Sequence, residues 1–353
     1  MKLLKLRVVN FRNYREAAIE PGPGVNLFLG PNGSGKSNLA EAASCLSLGR
    51  GWRTREIAPL IRDGEKEALI EAKVEVGELR HDIELVFSRS GRRLLIDGHP
   101  AKRLADLFSL VSVFSYAPED ASFFKDAPSV RRSFLDIAIS KRSEEYFSLV
   151  RTYAKLLDER NALLRAERVD ELALDVMTER LAACAVPIDE HRKAFIEELE
   201  KGGIALLDRL RGAEKNAKLR YRPFLKEGTK DEALALFRRS MASDLEHRST
   251  GVGVQREDFA LVVDGLDIGV YGSQGENRLA SIAFKLVPAL LAEERRRPIV
   301  ILDDAYSELD ERRSDNLKGL LGELGQCFIT ATSFHYEGAS RFDISDGTIV
   351  REE

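Results

Sequence analysis

Gly30-Pro31-Asn32-Gly33-Ser34-Gly35-Lys36-Ser37 is the stretch on which the fold turns. It fits the spacing Gly-x-x-x-x-Gly-Lys-Ser of a Walker A loop that cradles phosphate. Val25 to Leu29 before it is a short apolar run, as a buried strand requires; Asn38 to Leu48 after it is rich in Ala, Leu and Ser, as a helix allows. Glycines permit a turn tight enough for successive N–H groups to face one anion. The positive end of the following helix adds to that field. Gly30, Pro31, Asn32, Gly33, Ser34, Gly35, Lys36, Ser37 and Asn38 are therefore expected to bind the phosphates of ATP. Lys36 should reach the β- and γ-phosphates, and the Ser37 hydroxyl should ligate Mg2+.

Downstream, Pro298-Ile299-Val300-Ile301-Leu302-Asp303-Asp304 is an apolar strand that delivers carboxylates at its end. Alone, such a run is weak, because many strands end in aspartate. Paired with the loop it reads as Walker B. Asp303 is expected to hold Mg2+ through water. Asp304 is expected to orient or deprotonate the attacking water.

Between these motifs lies Tyr271-Gly272-Ser273-Gln274-Gly275-Glu276, ahead of a long amphipathic run. It resembles the ABC signature, in which a serine and glycine N–H groups at a helix start form an anion site. Ordinary N-capping by Ser273 is the simpler alternative. The position between Walker A and Walker B favours the signature, with Ser273, Gln274, Gly275 and Glu276 gripping the γ-phosphate held by a second copy. Ser307-Glu308-Leu309-Asp310 follows Walker B and looks like the D-loop, which places Asp310 at the same interface. On this reading ATP joins two copies head to tail, and hydrolysis removes the bridging phosphate.

The chain has 353 residues, more than a usual single domain, and its 44% hydrophobic content is enough for a sizeable core. A net charge of −4 argues against a generally basic nucleic-acid coat but allows a local patch. Cys45, Cys184 and Cys327 form no paired motif, which fits a reducing compartment. The start, MKLLKLRVVNFRNY, reads as an amphipathic strand, and no run approaches the ~20 apolar residues of a membrane span. A cytoplasmic protein without membrane attachment is expected. From Pro128 to Leu245 glycine is scarce and apolar residues recur at helical spacing; Pro187 and Gly202-Gly203 are expected to divide this region into four or five helices. Strand and turn texture surrounds it on both sides. The expected architecture is α/β: a P-loop NTPase of the ABC-ATPase head type with an inserted α-helical lobe. The ATPase domain would come from residues 1–120 and 250–353, the lobe from residues 121–249.

Further segments carry a more specific likeness. Asn10-Phe11-Arg12-Asn13-Tyr14, Arg53-Thr54 with Leu60-Ile61 and Gly64, Ala117-Pro118-Glu119-Asp120, Pro128-Ser129-Val130-Arg131-Arg132 and Phe134-Leu135-Asp136 resemble the RecF family of bacterial recombinational-repair ATPases. The resemblance covers most of the chain. It implies an SMC-like head without the long coiled coil, an ATP-dependent homodimer, and weak, DNA-stimulated ATP hydrolysis used as a switch. It also implies binding to double-stranded and gapped or junction DNA, and work with RecO and RecR in loading RecA. By analogy with related heads, Arg12 and Asn13 would lie near the nucleotide, and Arg53 or Arg55 near phosphate or DNA. The sequence departs from the family at several points: Gln255 stands where His is expected, Asn277 where Gln is common, and Tyr306 where a small aliphatic residue is usual. No glutamine lies between the loop and Gln255, so a transporter-type Q-loop is absent and Pro118-Glu119-Asp120 is the nearest substitute; His335 comes late for a switch histidine.

Arg209, Arg211, Lys215, Lys218, Arg220 and Arg222 fall within a stretch, Arg209 to Lys226, whose one acid is Glu214. Such a run suits a phosphate backbone, giving affinity without sequence code, and Tyr221 and Phe224 would suit stacking on bases. A solvated helical face is the ordinary alternative for the charges, and packing for the aromatics. An ABC transporter ATPase subunit is a competing reading, but it predicts a Q-loop Gln and a glutamate at position 304. Another SMC-like head would need heptad arms, and a clamp in which hydrolysis is incidental uses the same residues.

Overall fold

We describe a computed structural model of the chain over residues 1–54, 56–101, 103–293 and 296–352. Arg55, one of the residues expected near phosphate or DNA, lies outside the described residues. The chain folds into two compact units: residues 1–121, 205–214 and 274–353, and residues 122–204 and 215–273.

In the first unit, period-two alternation makes Lys2–Phe11 a half-buried strand, with Leu6 and Val8 inside and Lys5 outside. It pairs with Tyr14–Ile19 and Glu67–Val76, and the antiparallel sheet continues through Leu79–Ser88, Gly91–Ile96 and His99–Pro100. The last two strands turn at Asp97-Gly98. A second six-stranded sheet runs Thr348–Glu352, Ser340–Ser345, Val25–Leu29, Cys327–Ala331, Ile299–Asp303, Val113–Tyr116. All its pairings are parallel except the outermost one, Ser340–Ser345 with Thr348–Glu352. Its central strands are mostly apolar and buried along their whole length, with Asn26, Asp303 and Thr330 the polar exceptions, because both faces are covered. The helix Lys36–Leu48 shares one core with both sheets: its Leu39, Ala43 and Leu46 belong with Leu6 and Val8 of one sheet and Phe28, Ile301 and Phe328 of the other. The glycine loop thus leads into a helix held in the core.

The second unit contains the helices Pro128–Ser140, Glu144–Arg165 and Lys230–His247 and most of Glu171–Arg211. The sequence predicts helix ends at Pro187 and Gly202-Gly203, yet Glu171–Arg211 runs through all three. Leu181, Ala185, Ile188 and Leu199 of this helix are buried, and that packing outweighs a cost of about 3 kcal/mol for an internal proline. The region is also not wholly helical. Ala217–Arg222 is a strand, the edge of a three-stranded antiparallel sheet with Asp258–Val263 and Leu266–Asp267.

Four arginines of this unit converge on the segment Thr250 to Asp258. Arg131 makes a bidentate pair with Asp258 at 2.8 and 3.0 Å. Arg132 donates to the Glu257 carbonyl. Arg192 donates to the Val254 carbonyl and the Glu257 carboxylate, each at 2.6 Å. Arg160 donates to Thr250 Oγ1 at 2.6 Å and to Asp244 at 2.8 Å, with both charged side chains fully buried. Removing one member of a buried pair strands the other. Arg160→Met is therefore expected to cost about 3–5 kcal/mol in denaturant titrations of this unit. The double change with Asp244→Leu should recover much of that loss; a single variant as stable as wild type would show that the pair is not buried as described.

Candidate nucleotide-binding site

The loop is shaped by close approaches that only glycine tolerates. Gly30 has φ +151°, and a Cβ there would meet the Ile344 carbonyl oxygen at 2.0 Å. Gly35, at φ +111°, precedes the helix and lies against Asn13 and Tyr14, whose hydroxyl donates to the Gly35 carbonyl at 3.0 Å. Lys36 Nζ donates to the carbonyls of Gly30 and Pro31, both at 2.8 Å. Burial lowers its pKa, opposed by the charges of Asp304 and Asp303. Ser34 Oγ is buried without a hydrogen bond, an open polar position inside the loop.

Asn38, Lys36, Ser37, Asp303 and Asp304 line one cleft of about 330 Å3, together with residues of the loop. The topology explains the meeting. The strand Cys327–Ala331 lies between the strand that enters the loop and Ile299–Asp303, so both bring their C-terminal ends to the same edge of the parallel sheet. Asp303 is 1% exposed. Burial raises its pKa, against hydrogen bonds from Thr330 and Ser37 and the charge of Arg53. A serine hydroxyl beside a buried carboxylate is an all-oxygen donor set on an open cleft, which fits Mg2+ with its retained waters.

Asp304 leaves the strand with φ +50°. Its N–H donates to Thr330 Oγ1 at 3.0 Å, and its carbonyl accepts from Arg278 at 2.7 Å. Arg278, on the helix Gln274–Leu290, also reaches Ser307 at 3.1 Å and Glu308 at 2.6 Å. Sequence reasoning singles out neither Thr330 nor Arg278. Nothing in a lone threonine on an apolar run, or in the fifth residue of a helix, announces such bonds.

Of the residues expected near the nucleotide, Asn13 joins the loop: its Nδ2 donates to the Ser34 carbonyl at 3.4 Å, and its Oδ1 accepts from Asn38 at 2.8 Å. Arg12 turns instead to Glu41, a buried carboxylate of the loop helix, at 2.8 Å. Arg53 lines the cleft, 3.6 Å from Asp303 and 3.9 Å from Glu119. Pro118 and Glu119 form part of the cleft wall.

The residues expected to form the signature divide between elements. Ser273 ends the second unit, while Gln274, Gly275 and Glu276 open the helix Gln274–Leu290 of the first. Gln274, Gly275, Glu276 and Asp310 do not line the cleft of their own chain. Asp310 caps the helix Glu311–Lys318, accepting from the Arg313 N–H at 2.9 Å. His335 is exposed, and Gln255 accepts a hydrogen bond from Tyr153.

The basic stretch is more balanced than its sequence. Arg209 makes a bidentate pair with Glu323, Arg211 lies 3.5 Å from Asp208, Lys215 is 3.8 Å from Asp264, and Arg220 is 2.7 Å from Asp267. Lys218, Arg220 and Arg222 share the exposed face of an edge strand. Phe224 packs on Phe237, ring centroids 5.3 Å apart, rather than facing outward for a base.

A glycine loop at the end of a parallel strand, two aspartates ending the strand one place removed, and an antiparallel sheet sharing the loop helix's core define a P-loop NTPase of the ABC-type head class. The family model described as RecF/RecN/SMC N terminal domain matches residues 2–342. The DNA replication and repair protein RecF of Acidothermus cellulolyticus is 34% identical, covering 94% of this chain and 94% of its own. Its counterpart from Geobacillus kaustophilus is 33% identical, covering 99% and 97%. A solved recombination mediator protein RecF with ATP, of the RecFOR pathway, matches with a TM-score of 0.90 and 31% identity over 99% of this chain and 97% of that one. The chain belongs to the RecF family.

Proposed function

We propose that this chain is an ATP-gated DNA-binding switch of recombinational repair and replication-fork maintenance. The observation that carries the reading is the single cleft that gathers Lys36, Ser37, Asp303 and Asp304. These are the parts that phosphoryl transfer to water needs: a cation and loop amides for the phosphates, oxygen ligands for Mg2+, and a carboxylate for the water. ATP binds with Mg2+ held by Ser37 and Asp303. Two copies then meet head to tail, with Ser273 and Gly275 of each closing the other's site and Asp310 at the interface. Hydrolysis is slow, is stimulated by DNA and resets the switch. In this picture the first unit is the ATPase domain, built from both chain ends, and the second unit is the lobe inserted in it, which takes in residues 250–273 as well. The RecFOR pathway named for the solved relative supports work with RecO and RecR; on this reading that work is in the cytoplasm and delivers RecA to gapped DNA. A transporter subunit is not favoured by membership in this family; no helix among the described residues is long and apolar enough to cross a membrane.

The test is mass by light scattering with and without Mg-ATP, repeated with a gapped duplex. A monomer that becomes a dimer with ATP and binds DNA more tightly in that state is expected. A monomer under all conditions, indifferent to DNA, would remove the reading.

The exposed face of Ala217–Arg222 is the proposed phosphate-binding surface. Every cation withdrawn from a phosphate should flatten the slope of log affinity against log salt by about 0.9. Lys218→Gln with Arg222→Gln is expected to flatten it by roughly twice that, equally for any DNA sequence. An unchanged slope would move the DNA-binding surface elsewhere.

A further inference from the structure

We propose that Thr330 is a positioning residue for the ATPase site, one hydroxyl that sets both acidic residues of Walker B. The inference rests on the nucleotide reading above and goes beyond the acidic residues themselves. In the parallel pairing of Ile299–Asp303 with Cys327–Ala331, Asp303 is in register with Thr330. The Thr330 hydroxyl donates to Asp303 Oδ1 at 2.6 Å and accepts from the Asp304 N–H at 3.0 Å. Both of its bonding directions toward the acidic pair are therefore used, one on the carboxylate that would hold metal and one on the backbone of the residue that would handle water.

Position explains why a side chain is needed there. The strand Ile299–Asp303 ends while its partner continues to Ala331, because Asp304 turns away with φ +50°. Its N–H would then be left without a sheet acceptor, and an unpaired buried donor is costly. Thr330 Oγ1 supplies the acceptor. A β-branched side chain on a strand has a restricted χ1, which narrows the directions open to this hydroxyl, and its bonds to Asp303 and Asp304 fix the one taken. On the other side of the same residue, Arg278 and Ser307 hold the Asp304 carbonyl. The peptide groups of Asp304 are fixed at both ends, which leaves its carboxylate as the group able to respond to a bound phosphate. Thr330 itself lines the cleft, so the hydroxyl lies at the site and not behind it.

Three proteins test this: wild type, Thr330→Val and Thr330→Ser. Valine keeps the branched shape and loses both bonds; serine keeps the hydroxyl and loses a methyl. Affinity for a fluorescent ATP analogue is measured with and without Mg2+, and kcat and KM are measured for ATP. Partners of metal ligands are worth about 10–100-fold when removed. For Thr330→Val, the gain in nucleotide affinity that Mg2+ gives is expected to shrink by about that factor and kcat to fall by a similar one. Metal-free affinity should stay at the wild-type level, and Thr330→Ser should restore both quantities. A Thr330→Val protein with wild-type kcat and wild-type Mg2+ gain, or one that only melts earlier, would overturn the role. Should Thr330→Val fail to fold, Thr330→Ala is read against Thr330→Ser in the same two assays. Wild type that binds nucleotide without turnover would sink the hydrolysis reading alone, because the Mg2+ gain still reports on Thr330. Wild type that binds no nucleotide would sink both.

Discussion

Lys36→Met is expected to lose ATP binding, with an affinity at least about 100-fold weaker than wild type. The ammonium is pinned to the loop by two carbonyls at 2.8 Å and lies in the same cleft as Asp303 and Asp304. Phosphate oxygens would give that ammonium anionic acceptors in place of neutral carbonyls. A hydrogen bond to a charged group is worth about 1.5–3 kcal/mol, and two of them give roughly two to four powers of ten in affinity. Methionine matches the stem in length and apolar character, so the loop keeps its packing while the charge is gone. Titration with a fluorescent nucleotide measures the loss. A variant that bound within tenfold of wild type would mean that the phosphates lie elsewhere.

Asp304→Asn should do the opposite to the lifetime of the complex. ATP binding is expected to persist, kcat to fall by about 10^2–10^4, and a dimer to accumulate in ATP. The substitution is well matched to the backbone. Position 304 has φ +50°, a left-handed conformation that Asp and Asn accept better than other side chains with a Cβ. The bonds to Thr330 and Arg278 use the main chain of residue 304 and survive the change. What disappears is the carboxylate's negative charge and its capacity to take a proton. Light scattering with Mg-ATP reads the result directly. If the variant dimerised no better than wild type, closure of each site by the other copy would be the wrong mechanism.

The parts of the site that are legible in the sequence are those with local causes. A glycine loop needs its strand before it and its helix after it, so Gly30 to Asn38 declares itself, and Asp303-Asp304 follows from an apolar strand with acids at its end. The remainder depends on neighbours that are distant in the chain. Thr330 acts on Asp303 through parallel register, which a sequence does not display. Arg209, Lys215 and Arg220 read as free cations because their acids, Glu323, Asp264 and Asp267, come from segments folded back onto them. Arg12 similarly meets a buried glutamate on the loop helix. Pro187 misleads for a related reason: local propensity is a small term beside the packing of a long helix. The strand Ala217–Arg222 is hidden by alternating Lys and Arg, whose apolar partners Leu219 and Tyr221 give too short a pattern to separate from a helix.

The convergence of Arg131, Arg132, Arg160 and Arg192 on Thr250 to Asp258 bears on how this protein can change over generations. Arg131, Arg160 and Arg192 each serve several oxygens in a fixed fork, a geometry that lysine does not reproduce, and Arg132 adds a bond to the Glu257 carbonyl. A drifting residue at one of these positions therefore leaves a buried acceptor stranded before any compensating change has arrived. Passage between alternatives is expected to require paired substitutions, so the four arginines and their acceptors should be inherited as a block while the exposed surfaces around them wander.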